Sequence, residues 1–66
     1  MKLIVHTPID KFESEETAFD PEQYEELCAI VDEICKTDKS FGFSTISGYV
    51  SLPAGLVSRC IFEVQK

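Results

Sequence analysis

Three cysteines (Cys28, Cys35, Cys60), one histidine (His6) and twelve carboxylates are the side chains of this 66-residue sequence whose types could do chemistry. A thiol or hydroxyl nucleophile needs a base placed beside it, yet no cysteine stands at a motif spacing from His6 and no G-x-S-x-G elbow occurs. A structural zinc needs four Cys or His ligands, usually with a C-x-x-C step, and none is present. Cys28 and Cys35, on a helix, would lie about 10.5 Å apart along its axis, too far for one disulfide or one shared zinc. Three is also an odd count for a disulfide framework, so the thiols are expected to be reduced and to pack as small hydrophobes.

The carboxylates fare no better as catalytic or metal groups. A calcium loop begun at Asp10 would need Gly at its sixth position and Glu at its twelfth, where the sequence has Glu15 and Pro21, and Phe12 replaces an oxygen ligand. Acid–base catalysis needs a pocket that separates two carboxyl environments, and so short a chain offers little concavity. There is no glycine-rich phosphate loop. The expectation is a protein that is not an enzyme and uses no cofactor and no metal.

What remains is where the acids lie. From Asp10 to Glu33 there are ten acids and one base, a local charge of −9, against +3 for the remainder and −6 overall. No basic patch can neutralise phosphates, so direct nucleic-acid binding is not expected. Glu13, Glu15 and Glu16 form one cluster, and Glu22, Glu25, Glu26 and Glu33 a second. Acids in a first helical turn favour the helix macrodipole, and Asp32 with Lys36 makes a favourable i,i+4 pair. Glu22 and Glu26, by contrast, repel each other at that spacing with no base to relieve them.

These side chains are positioned by an expected single α+β domain in the order strand, long arm, helix, strand, strand. Lys2 to Thr7 reads as a strand ended by Pro8, and residues 8–19 as an acidic arm pinned by Phe12. The helix signal is the strongest. Asp20 stands at the N-cap, Pro21 at the first helical position, Gln23 three residues after the cap, and Phe19 with Tyr24 forms a hydrophobic staple. Tyr24, Leu27, Cys28, Val31, Ile34 and Cys35 then recur at helical spacing, so the helix covers about residues 20–36, with the acids opposite its apolar stripe.

After the polar break Thr37 to Ser40, residues 41–52 and 56–65 read as two strands of a hairpin closed at Pro53 and Gly55. That register puts Leu52 opposite Leu56, Val50 opposite Ser58 and Ile46 opposite Phe62, with Ile46, Val50, Leu52, Leu56, Cys60, Phe62 and Val64 toward the helix. The other sheet face would carry Phe43, Tyr49, Val57, Arg59 and Ile61. One helix cannot cover both faces, so this is the alternative interface.

In size, acidity and lack of catalytic residues the chain resembles, in type, the small host-directed proteins of phages and mobile elements, a class that includes anti-CRISPR and anti-restriction inhibitors. The resemblance implies a nucleic-acid mimic whose carboxylates fill a basic surface on a partner protein. The competing expectation is a structural or dimerising subunit, a homodimer among its forms, working through the apolar sheet face. No apolar run is long enough to cross a bilayer and the N-terminus lacks a signal-peptide pattern, so a cytoplasmic protein with no membrane partner is expected.

Overall fold

The computed structural model describes residues 1–66 and contains one helix and five strands. The strands are β1 (Lys2–His6), β2 (Lys11–Glu13), β3 (Phe41–Thr45), β4 (Gly48–Leu52) and β5 (Ile61–Gln65); the helix is α1 (Pro21–Thr37). They form a three-stranded antiparallel sheet in the order β2-β1-β5 and a separate β3-β4 hairpin. This is an α+β fold with an antiparallel hairpin in its C-terminal half.

β1 is central because its sequence leaves no alternative. Leu3, Ile4 and Val5 are apolar at successive positions, which point to opposite faces, so both faces must be covered. Their exposures are 4%, 5% and 0%. Leu3 and Val5 join Val31 of α1, Leu52 of β4 and Val57 in the core cluster. Ile4, on the opposite face, is flanked by Glu13 of β2 and Glu63 of β5.

α1 starts where local chemistry says it should. The Asp20 side chain accepts hydrogen bonds from the Glu22 and Gln23 amides at 2.9 and 3.4 Å, and the Phe19 and Tyr24 rings lie 5.8 Å apart. It ends at Asp38, whose φ of 53° is left-handed, a conformation that Asp tolerates better than most residues. Asp38 Oδ1 also accepts from the Gly55 and Ser58 amides at 3.1 and 3.2 Å, fastening the helix end to the loop after β4.

The expected arm contains a short strand, β2. Thr7 and Asp10 close a tight turn: the Thr7 amide donates to the Asp10 carbonyl, and the Asp10 amide to Thr7 Oγ1. β2 then pairs with β1, with Phe12 half-buried opposite Val5. The chain continues alongside β1 through Ser14 to the Leu3 carbonyl and Thr17 to the Met1 carbonyl, each at 2.9 Å.

The hairpin differs from the expected one in bounds and register. The stretch 41–52 is two strands joined at Ile46–Ser47, with Phe43 opposite Val50 and Thr45 opposite Gly48. Neither turn residue has positive φ, and Gly48 takes φ 140°, absorbing the mismatch between turn and strand twist. Pro53 to Leu56 does not return the chain along β4. It leads into a 3-10 turn, Val57–Arg59, and β5 crosses to pair with β1, Val5 facing Phe62 and Ile4 facing Glu63. Leu52 is therefore buried as expected, while Ile46 is 71% exposed at the turn and Val57 is fully buried. No helix is long and apolar enough to cross a membrane.

Candidate functional site

The twelve acids divide by what their carboxylates touch. Asp10 caps the β2 amide of Lys11 at 2.7 Å, Asp20 caps α1 and Asp38 holds the Gly55–Ser58 loop. Glu13 Oε1 accepts from Lys2 Nζ at 2.9 Å, with Lys11 Nζ 3.8 Å from its other oxygen. Glu16 lies 3.4 Å from the Met1 amino group. Glu63 shares a hydrogen bond with His6 Nε2 at 3.2 Å and accepts from Gln65 Nε2 at 3.0 Å.

These contacts shift the charges in the expected sense. The Lys2 hydrogen bond holds the Glu13 carboxyl below the usual carboxylate range, and Glu13 in turn raises Lys2. Gln65, then His6, lower Glu63. On the sheet face away from α1, the two carboxylates flanking Ile4 are thus tied to neighbours on β1 and β5. The Glu13–Lys2 pair joins β2 to β1, so part of the arm cluster supports the sheet. Glu13 and Glu16 are neutralised locally, and of that cluster Glu15 alone has an unpartnered carboxylate.

The helix acids are different. Glu22, Glu25, Glu26, Asp32 and Glu33 are all exposed, and none of their carboxylates makes a hydrogen bond or an ion pair; Asp32 and Lys36 do not meet. With Glu15 they are the six acids whose side chains have no partner. At about 100° per residue the five helix acids occupy one side of α1, with Lys36 on the same side, and Glu22 to Glu33 spans about 16 Å of axis. Sequence periodicity had already grouped the helix set. The Lys2–Glu13 and His6–Glu63 pairs were missed because they depend on strand register, although Lys2, Ile4 and His6 share one strand face by simple alternation.

The alternative interface does not assemble. Phe43 points inward with Phe41, their rings stacked 5.6 Å apart, and both pack against the core. Val57 is fully buried, and Arg59 ends the 3-10 turn exposed. Tyr49 is 71% exposed on the outer side of the hairpin, its phenol lying over Gly42 where a Cβ would overlap it. Ile61 is 69% exposed on the other sheet, opposite His6. These five residues do not share one face because β4 and β5 are not paired.

The thiols are free. Cys35 is exposed, while Cys28 and Cys60 are half-buried, with Cys60 Sγ donating to the Leu56 carbonyl at 3.3 Å. Burial, and after it Cys35, pushes the Cys60 thiol up, which makes it a poor nucleophile. No group of three His, Cys, Asp or Glu side chains converges as a metal set.

Two shallow grooves mark the surface. One, about 410 Å³, runs between β2 and the hairpin end, where Lys11 and Phe12 face Ile46 and Tyr49. The other, about 390 Å³, lies between the arm, β1, α1 and β3; Met1, Leu3, Leu27, Phe41 and Phe43 form its floor and Glu15 its rim. The chain matches no family model, no curated protein and no solved structure.

Proposed function

We propose that the protein is a small acidic binding module, an inhibitor that lays the outer face of α1 on a basic or nucleic-acid-binding surface of a partner protein. The observation that carries this reading is the division of the acids: half are bonded within the fold, while Glu15, Glu22, Glu25, Glu26, Asp32 and Glu33 have no internal partner. An exposed row of five carboxylates with a single cation on its arc, Lys36 in the last turn and bonded to none of them, repels itself, and a cationic partner relieves that repulsion. A groove that normally holds phosphates offers such cations in a fixed row, which supports the nucleic-acid-mimic form of the proposal.

The test is retention of host proteins on the immobilised chain. Retention should fall as salt rises from about 0.1 M to about 1 M, which shortens the Debye length from roughly 10 Å to roughly 3 Å. Added duplex DNA should displace what is retained, and Glu22→Lys with Glu26→Lys and Glu33→Lys should abolish it. Retention indifferent to both salt and charge reversal overturns the reading.

The second reading, a structural or dimerising subunit, draws on Ile46 and Tyr49, both 71% exposed beside the hairpin groove. Light scattering separates the two. A mass that doubles with concentration in wild type but not in Tyr49→Ala favours the dimer, and a monomer at every concentration removes it.

A further inference from the structure

We infer that the groove between the arm, β1, α1 and β3 is the anchor pocket of this surface, and that it receives one large apolar side chain from a partner segment in which Arg or Lys flank that side chain. The inference rests on the acidic-module reading and names the kind of segment that module binds.

Three observations converge on it. The floor is apolar and fixed: Leu3 is 4% exposed, and the Phe41 ring is stacked on Phe43 and edge-on to Phe62 at 5.7 Å. A recess of about 390 Å³ falls at the small end of the roughly 300–1,000 Å³ typical of ligand pockets, which suits one bulky side chain rather than a cofactor.

The polar atoms in the walls are already committed. Ser14 Oγ accepts from the Leu3 amide at 2.8 Å, Thr17 Oγ1 donates to the Met1 carbonyl at 3.3 Å, and Lys2 is paired with Glu13. Of the polar side chains in the lining, Glu15 and Ser44, both exposed, are the two left without a partner. Burial of an apolar side chain there strands no donor or acceptor.

Charge identifies the flanks of the occupant. Glu15 stands unpartnered on the arm side. On the helix side, the residues between Leu27 and the outer face are, by helical geometry, Ile30 and then Glu26 and Glu33. Leu27 is the helix residue of the lining, and Ile30, 50% exposed, stands between it and these carboxylates around the helix. The two cations in the lining, the Met1 amino group and Lys2, are spent on Glu16 and Glu13. An apolar anchor between cationic side chains complements this surface, and an acidic segment is repelled by it. A second copy of the chain, at −6, is disfavoured on the same ground.

The chain contains no Trp, so a Trp-bearing peptide reports on its own environment. The probe is a pentapeptide with central Trp and two Arg or Lys on each side, followed by Trp emission and by amide chemical shifts of the labelled protein. Expected are a blue shift and perturbations at Leu3, Leu27, Phe41 and Phe43. Glu15→Lys with Glu26→Lys should weaken binding by at least about tenfold, or 1.4 kcal/mol, with amide spectra showing the variant still folded.

If an Ala-centred basic peptide binds equally well, or the shifts stay on the outer helix face, the pocket is overturned while the acidic surface stands. Equal binding of a Glu-flanked Trp peptide overturns the cationic flanks. Groove shifts that follow protein concentration without peptide assign the occupant to a second copy and overturn the proposal. No binding by any peptide overturns the pocket, and the salt-dependent retention experiment then judges the acidic module separately.

Discussion

Asp38 carries two duties that are separable by substitution. Its backbone adopts φ 53°, and its carboxylate receives two amides from the loop that precedes β5. Ala would keep the strained backbone and lose the oxygen that accepts both amides, for a cost of about 2 kcal/mol. Asn keeps an oxygen and the tolerance for left-handed geometry, so Asp38→Asn should lie within about 1 kcal/mol of wild type. Urea unfolding measures both, and equal losses for the two variants would mean that the loop bonds contribute nothing. A second contrast locates the core. Val57, fully buried, should lose about 2 kcal/mol as Ala, whereas Ile46→Ala at the exposed turn should change stability by no more than about 0.5 kcal/mol. The hairpin register read from the sequence placed these two the other way round, so the pair also tests the register.

The three-stranded sheet gives the molecule its pH response. Glu13 and Glu63 both have values lowered from the ordinary 4.5. A carboxyl lowered in the folded state stabilises the fold above its unfolded value, and that contribution is lost as pH falls through the folded value. The stability gap between wild type and a Glu13→Gln, Glu63→Gln variant should therefore be full at neutral pH, shrink as pH falls below 4.5 and vanish once pH has passed below the lowered folded values. A gap that does not change with pH would show that neither pair matters. How far each element could be read from sequence follows from how local its determinants are. α1 is written within a few residues: Phe19, Asp20 and Pro21 set its start, and the apolar stripe its facing. β1 declares itself by three apolar residues in a row. β2, at three residues, is too short to show a period, and its partner is fixed by the Thr7–Asp10 turn. The Pro53–Gly55 turn signal was genuine, yet it feeds a 3-10 turn, because the two-residue closure at Ile46–Ser47 had already used β4. The helix acids were legible for the same reason as the helix, and the ion pairs across β1 were not, since no local pattern sets their register.

Taken whole, the chain folds around a small core while carrying a concentrated surplus of charge. Seven residues are buried, so core burial leaves little stability in reserve against repulsion. Five of the six unpartnered carboxylates gather on one side of α1, and few ion pairs exist for salt to weaken. Thermal stability should rise as ionic strength goes from about 0.01 M to about 0.15 M, where the Debye length contracts from roughly 30 Å to roughly 8 Å. A melting temperature that falls over that range would show the ion pairs outweighing the repulsion. The same repulsion leaves the module to be stabilised by whatever cationic surface it meets, through ordinary linkage between binding and folding.

The pairing of β1 with β5 also sets a timetable for synthesis. Ile4 reaches its place opposite Glu63 only after 59 further positions have been added. At about 5–20 residues per second, Leu3, Ile4 and Val5 wait roughly 3–12 s for the strand that completes their sheet. During that interval α1 and β2 can form beside them, but the β5 side of the most deeply buried strand in the chain stays open to any other extended backbone in the vicinity of the ribosome.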